Sequence, residues 1–453
     1  MAGTARGAAP LILVSVLLSG CARDGAYTTP LFPFANGFSA ARTASPVLLG
    51  NSQWWQRLED PVLNRLVAAA LTDSLSLDLA RERVLTARAA VRAVPGGGSI
   101  DGSARLNAGN RFGDDPDLTG VLGLDFGWIL DPWGERASRR RAAGARAEAA
   151  EAERDSAQLL VLLSLGQAYV DLRYSETLLA LRERERGRRL ETLDMVRQLS
   201  AVEEATRLQL VRAQARVADI DAALPRLRAA VTARRNEIAV LTGRQPGTIE
   251  VPAGGQPVPR MSPEIGVPAD LLRNRPDIRV AERAYYAAVA EIDQAEAARY
   301  PSLSLGGTLS VNAIGAASGG SYVFGPALNL PVPLDGSANA EVQRRQSLAR
   351  QAHTEWRSTV LGAILEVENA LVDYRAVHLS VEAAARAVRL NRETLSLTRD
   401  LVRRGDATLN ELIDAEQALS DAELTRAETL QQLGRSFVAL NVRLGAGHAV
   451  SDR

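Results

Sequence analysis

The chain is written twice. A helical stretch, a proline, two short alternating strands, an aspartate-marked turn and a very long Ala/Leu/Arg-rich helical run occur once and recur about 200 residues later. Val94-Pro95 opens the strands of the first copy and Tyr300-Pro301 those of the second; the closing turns carry Leu130-Asp131 and Leu334-Asp335. A Pro/Gly-rich stretch from Pro246 to Pro268, uncomfortable for helix or strand, separates the copies. Any fold for this chain must therefore place two like halves in like environments.

The strands set the next constraint. Ile100, Gly102, Ala104, Leu106 and Ala108 alternate with Asp101, Ser103, Arg105 and Asn107, and Leu122, Leu124, Phe126, Trp128 and Leu130 alternate with Val121, Gly123, Asp125, Gly127 and Ile129. In the second copy Leu303, Leu305, Leu309 and Val311 oppose Ser304, Thr308, Ser310 and Asn312, and Tyr322, Phe324, Leu328, Leu330, Val332 and Leu334 follow. Segments of about ten residues with this period fit transmembrane barrel strands with lipid on one side and water on the other. A half-buried soluble sheet would show the same alternation. Trp128, Trp133 and Tyr300, clustered at the strand ends where helices begin, favour a membrane interface, as do the short loops Gly113–Leu118 and Ala313–Ser321. Four strands cannot close a barrel, and an open edge in lipid strands its backbone polar groups, so several copies must share one barrel.

The helices are extreme for a globular chain. Ser337 to about Arg403 holds no proline and one interior glycine, Gly362, a rod of roughly 100 Å. Glu135 to about Leu199 matches it, and returning helices are predicted from about Thr206 to Leu241 and from Leu409 to Leu444. Leu430, Leu433, Phe437, Leu440 and Leu444 form a coiled-coil stripe on the last of these.

The N-terminus carries Arg6, an apolar run from Ala8 to Leu18 too short to span a bilayer, and then Leu18-Ser19-Gly20-Cys21. This resembles a bacterial lipoprotein signal, in which the cysteine takes the lipid and becomes the first mature residue. Cys21 is the chain's one cysteine, which leaves no disulfide for the mature protein. Ala22 stands where an inner-membrane-retained lipoprotein commonly has aspartate, so the resemblance implies the outer membrane. The resulting plan is a signal over 1–20, a lipidated stretch over 21–59, a first repeat over 60–245 (strand pair 99–131, hairpin 135–243), a linker over 246–274, a second repeat over 275–445 (strand pair 302–334, hairpin 337–444) and a tail over 446–453.

Composition excludes several functions. The 53 basic and 53 acidic residues balance, so no bulk field draws the chain to nucleic acid. None of the basic residues is lysine, which removes phosphate-loop and Schiff-base chemistry. His353, His378 and His448 lack metal-ligand spacing, and Gly96-Gly97-Gly98 lacks the strand-to-helix setting of a phosphate loop. No cofactor, metal or enzyme activity is expected. Charge runs such as Arg182 to Arg186 read as solvated helix faces.

Trp54-Trp55 with Asp60-Pro61, the turn Trp128-Ile129-Leu130-Asp131-Pro132-Trp133-Gly134, Leu271-Leu272-Arg273-Asn274-Arg275-Pro276-Asp277-Ile278, Ala297 to Ser302, and Gly405 with Leu412-Ile413-Asp414-Ala415 together resemble the outer membrane factor family of TolC/OprM-like channels, in its lipidated branch. The resemblance implies a mixed α/β membrane protein: a homotrimer whose twelve-stranded β-barrel takes four strands from each chain and continues as a long periplasmic α-helical barrel. It further implies a passive exit duct loaded by a periplasmic adaptor and an inner-membrane pump, for small-molecule or metal efflux; a type I protein-secretion duct and a non-channel periplasmic scaffold are the alternatives. Leu199 and Ser200 at the first helical tip and Gly405 and Asp406 at the second are the expected adaptor contacts. Glu411 and Asp414, three apart on one helix face, match the family's constriction acids, and three chains would present six carboxylates whose repulsion raises some pKa values and draws cations. Departures stand out: no aromatic and no second glycine in the turn Leu334-Asp335-Gly336-Ser337, no glycine at Gln198 to Ala201, no tryptophan-ending tail of the kind many relatives carry, and Ala407 where some relatives carry a basic latch.

Cys21→Ser is expected to abolish acylation and leave the precursor uncleaved. Mass spectrometry of the mature N-terminus checks this, and an unmodified wild-type terminus other than Cys21 contradicts it.

Overall fold

The computed structural model describes residues 30–39, 53–109, 117–259, 266–314, 317–330 and 336–448; Cys21 and the Leu334-Asp335 turn lie outside them. Each repeat builds the same series. Helices α1 (Pro61–Asp73) and α2 (Leu75–Ala93) lead to strands β1 (Gly98–Gly109) and β2 (Asp117–Leu130), then to α3 (Glu135–Ala201) and α4 (Arg207–Leu241). In the second copy α5 (Leu271–Asn274) and α6 (Pro276–Ala297) lead to β3 (Ser302–Ile314) and β4 (Ala317–Asn329), then to α7 (Ser337–Arg404) and α8 (Leu409–Arg443). The outgoing helices hold 67 and 68 residues, and both returning helices hold 35.

Local chemistry explains the boundaries. Asp60 caps α1, its Oδ1 accepting from the backbone N–H of Val62 at 2.9 Å and Leu63 at 3.3 Å, while Pro61 takes the first helical position, where no amide is needed. Pro225 sits inside α4, which continues through it at the loss of one backbone hydrogen bond. Among the described residues no helix is long and apolar enough to cross a membrane.

The four strands form one antiparallel sheet in the order β1-β2-β3-β4, so the two repeats meet through β2 and β3. Register places Leu124 opposite Leu309 and Trp128 opposite Leu305, and carries the period-two pattern across the whole sheet. One face holds Ile100, Leu122, Leu124, Phe126, Trp128, Leu305, Leu309, Tyr322, Phe324 and Leu328; the other holds Asp101, Ser103, Arg105, Asp125, Ser304, Thr308 and Ser310. The apolar face is bare in the single chain, with Tyr322 84% exposed. Among the described residues β1 and β4 each pair on one side only. Pro326, which has no amide to donate, lies in edge strand β4.

The second strand pair departs from the expected bounds. Within the loop expected over Ala313–Ser321, β3 runs on to Ile314 and β4 already begins at Ala317, because Ser318, Gly319 and Gly320 pair with Ala313, Asn312 and Val311 although they carry no alternation. At the other end β4 stops at Asn329, and 331–335 lie outside the described residues.

The chain divides into two compact units, one comprising residues up to Phe32, Arg83–Glu151 and Val280–Ser358, the other Pro33–Glu82, Ala152–Arg279 and Thr359–Arg453. In the first, ion pairs tie α3 to α6 and α7: Arg141 to Asp293 at 3.0 Å, Arg283 to Glu148 at 2.9 Å, and Arg146 and Arg345 both to Glu291. The Phe32 ring meets Trp356 edge-on at 6.0 Å, and His353 packs between Tyr285 and Trp356.

In the second unit the expected stripe of α8 is core: Leu430, Leu433, Phe437, Leu440 and Leu444 are all buried. Small residues let α3 and α8 approach closely, since a Cβ on Gly166 would lie 2.8 Å from Val438 and one on Gly434 3.0 Å from Val170. Arg173, 1% exposed, donates to the Tyr169 hydroxyl, Glu176 and the Pro252 carbonyl, while Tyr169 donates to Asp60, so one buried guanidinium holds α1, α3 and the linker together. Burial and the Asp60 hydrogen bond push the Tyr169 phenol above its ordinary range. The Arg-Pro-Asp motif has a similar task. Arg275 donates to Asp277, to Glu366 on α7 at 2.9 Å and to the Arg443 carbonyl at 3.0 Å, which fastens the start of α6 to the end of α8. Gly445, at φ +82°, turns the chain beneath the Asn274 carbonyl, where a Cβ would come within 2.1 Å of the oxygen.

Gly307 leaves the gap in which Phe126 and Phe324 stack at 5.4 Å. Gly307→Ala would set a Cβ 2.3 Å from Phe126 and 2.8 Å from the Val323 carbonyl. We expect a loss of about 1–3 kcal/mol, read as a lowered midpoint for heat or urea unfolding of the membrane assembly.

Candidate functional site

At the strand–helix junction the indole of Trp133 stacks on Tyr300 at 4.7 Å and 23°, and its Nε1–H donates to the Pro301 carbonyl at 2.8 Å. Asp131 Oδ2 accepts from the Ala137 N–H at 3.0 Å and so starts α3. Trp128, the third expected interface aromatic, sits within β2 and is half-exposed on the apolar face. The structure thus joins Trp133 to Tyr300 and leaves Trp128 apart on the strand. The opposite face carries water-compatible contacts: Thr308 donates to Asp125 Oδ1 at 2.6 Å, and the Ser310 and Ser321 hydroxyls lie 2.8 Å apart.

The two helical tips are built alike without the same residues. At the second, Gly405 takes φ +81° after Arg404 and the Asp406 N–H donates to the Leu401 carbonyl at 2.9 Å, closing α7. At the first, α3 runs through Leu199 and Ser200 to Ala201, and the left-handed position falls to Glu203 at φ +65°. The glycine missing from Gln198–Ala201 is therefore replaced by a non-glycine residue farther along, with the Glu204 N–H reaching the Leu199 carbonyl at 2.8 Å. Leu199 and Ser200 belong to the last helical turn, whereas Gly405 and Asp406 belong to the turn itself.

Both returning helices open with the same capping box. Thr206 exchanges hydrogen bonds with Gln209, and Thr408 with Glu411: the Thr408 N–H and hydroxyl donate to Glu411 Oε2 at 2.6 and 2.9 Å, and the Glu411 N–H donates back at 3.3 Å. Within the single chain the Thr408 N–H, then its hydroxyl, hold the Glu411 carboxyl below its ordinary value; the rise expected from six carboxylates belongs to the trimer. Asp414, exposed one turn on, has no partner among the described residues. The two acids share a helix face as expected, with one engaged in the cap and one free.

Behind them lies a cluster that the sequence reading passed over. Leu193 and Val196 of α3, Ala213 and Val217 of α4, Val388 and Leu395 of α7, and Leu409, Leu412, Ala415 and Leu419 of α8 form an apolar core joining both hairpins. Glu416 lies in this core at 7% exposure and accepts from the Thr192 hydroxyl at 2.9 Å, with Arg399 at 3.6 Å. Glu185, also buried, is gripped by Arg182 and Arg189; burial works to raise its pKa, but those guanidinium contacts win and hold it low. The charge run around residue 185 is thus not simply a solvated face. A usable signal existed, since Glu416 follows Leu412 by one helical turn and so falls on the apolar stripe.

The outer membrane efflux protein family model matches residues 66–244 and 267–446, one block per repeat. Nodulation protein T of Rhizobium leguminosarum bv. trifolii is 32% identical, with 96% of each chain covered. The toluene efflux pump outer membrane protein TtgC of Pseudomonas putida is 26% identical over 96% of this chain and 95% of its own. Among solved structures, the outer-membrane channel OprN superposes with a TM-score of 0.83 at 29% identity, covering 94% of this chain and 99% of that one. The chain belongs to the outer membrane efflux protein family. Proteins of this family are trimeric channels that work with periplasmic adaptors and inner-membrane pumps.

The capping box makes a pH-dependent forecast. A lowered Glu411 pKa means that the cap is fully formed above the ordinary carboxyl range and is lost as pH falls through the lowered value. Gln209 shows that an amide serves equally at this position. Glu411→Gln should therefore leave the amide-exchange protection factors at the start of α8 high and unchanged on acidification, while Glu411→Ala should lower them.

Proposed function

We propose that the chain is the outer-membrane exit duct of a tripartite efflux system for small molecules, anchored through a lipid on Cys21. The observation that carries this is the four-stranded sheet: one face predominantly apolar and exposed, the other carrying most of the polar side chains, with both edges open among the described residues. Such a sheet is stable in a bilayer only when closed, and three copies give twelve strands. The polar face then lines a water-filled lumen, and the Trp133–Tyr300 stack sits at the periplasmic headgroup level.

The long hairpins α3–α4 and α7–α8 continue this lumen into the periplasm, with Leu199, Ser200, Gly405 and Asp406 facing the adaptor and Glu411 and Asp414 at the constriction. A wide polar tube selects little by itself, and the pump sets the cargo. The small-molecule reading is supported by relatives named for toluene efflux, antibiotic efflux and pyoverdine export.

Two measurements test this reading. Leu124→Arg and its cross-strand neighbour Leu309→Arg, on the apolar face near mid-strand, should each cost about 2–4 kcal/mol of assembly stability if that face meets the bilayer centre, whereas Ser103→Arg on the polar face should be tolerated; equal tolerance on both faces contradicts the barrel. In planar bilayers the protein should conduct and be blocked by divalent cations from the periplasmic side, and Glu411→Ala/Asp414→Ala should weaken that block. Unaltered block in the double variant removes these two acids from the constriction.

A further inference from the structure

The internal repeat supplies a template for the contact between copies. Gly134 and Gly336, at φ +76° and +73°, each stand one residue before a long helix and so align β2 with β4. The hairpin registers then align β1 with β3: Ile100 opposite Phe126 in the first hairpin corresponds to Leu303 opposite Leu328 in the second. Within the chain the repeats meet where β2 lies against β3. The like junction outside the chain sets the β4 edge of one copy against the β1 edge of the next.

Backbone direction decides what those edges offer. In an antiparallel ladder a residue turns its N–H and C=O to the same neighbour, and successive residues turn to opposite neighbours. The Ile129 N–H donates to the Gly97 carbonyl at 2.7 Å, so odd-numbered residues of β2 bond toward β1 and even-numbered ones toward β3. Carried through the unbroken registers, this turns the even-numbered residues of both β1 and β4 to the open edges. Pro326 is one of them. Its ring nitrogen therefore faces outward, which leaves the β3–β4 ladder whole and puts the missing donor on the edge.

We propose that neighbouring copies join with Pro326 opposite Leu106 of the next copy, and that this pair is a built-in gap in an otherwise continuous ladder. The pairing reproduces Leu124 opposite Leu309 at the internal junction, and it rests on the barrel reading. On the lipid face Leu328 and Phe324 then meet Ala104 and Ala108 of the next copy, large against small, as Phe126 meets Gly307 within the chain. On the lumen face Asn329 meets Ser103 of the next copy. Ala327 meets Arg105 of the next copy, where the internal junction has Asp125 bonded to Thr308. The small Ala327 leaves room for that guanidinium to lie across the junction. Opposite a proline and surrounded by lipid, the Leu106 carbonyl receives no strand donor. Each junction between copies is thus one backbone hydrogen bond short of the internal one.

Cysteine pairs in the full-length protein, purified from outer membranes, test the register, with the single-cysteine variants as blanks. Odd-numbered positions across the junction form the close, non-hydrogen-bonded pairs, within reach of a disulfide. Asn329→Cys with Ser103→Cys should link chains covalently on oxidation, seen as multiples of the monomer on non-reducing gels, because β1 and β4 of one chain lie at opposite edges of its sheet. Asn329→Cys with Arg105→Cys, slipped by two residues, should stay monomeric on the same gels. Pro326→Ala, which supplies the absent donor, should raise the temperature at which the assembly dissociates in detergent. Linkage through the slipped pair, alone or equally with the first, overturns the register and leaves the barrel standing. A Pro326→Ala assembly that dissociates at or below the wild-type temperature overturns the gap. Linkage through neither pair overturns the register if the variants still conduct in planar bilayers, and overturns the barrel reading with it if the wild type does not conduct.

Discussion

The structure depends on one unmet requirement of its own sheet. Within the chain, β1 and β4 each leave a row of backbone donors and acceptors without a strand, and an apolar face of Leu, Ile, Phe, Trp and Tyr side chains stands bare. In water such a face and such edges invite aggregation; in lipid the edges alone are prohibitive. Neighbouring copies can satisfy both at once by continuing the sheet into a closed ring. The duplication then acquires a physical meaning, because two like hairpins per chain give a trimer six like positions around the axis, and the long helices that grow from them inherit the same spacing.

Helices of 67 and 68 residues with few aromatics cannot enclose a large mixed core, and they solve this by approaching one another closely. Gly166 faces Val438, and Gly434 faces Val170, at distances that no Cβ could share comfortably. Charged nodes then fix direction where apolar packing alone would allow slippage. Arg173, Arg275 and Glu291 each bind groups from several elements, and with no lysine in the chain every such cation is a guanidinium, suited to several fixed partners at once. The same device recurs at the tips, where Arg189 joins Glu185, Gln417 and the Arg216 carbonyl.

Much of this was legible from residues alone. Alternation in β1, β2 and β3 named the two faces because each pairing register repeats the period of two, and the Thr206 and Leu409 starts of the returning helices followed from turn residues and apolar stripes. What escaped did so for identifiable reasons. The loop between β3 and β4 looked long because Ser318 to Gly320 have no side-chain alternation, although their backbones pair. Glu411 was weighed by its spacing from Asp414, while the Thr-x-x-Glu signature that engages its carboxylate in the helix start was equally present. Glu203 gave no sign of a left-handed turn, since that position usually calls for glycine. Long-range contacts such as Ser39 donating to Glu368, or Arg275 reaching Arg443, leave no trace in local pattern at all.

Native mass spectrometry of the detergent-extracted protein counts the copies that close the sheet, and so tests the central requirement directly. A single species of three chains, without a population of one or of open-ended higher numbers, is the result that edge closure by neighbouring copies demands. A stable monomer would mean that the chain satisfies its own edges, and a ladder of successive copy numbers would mean that the sheet stays open; either contradicts the account.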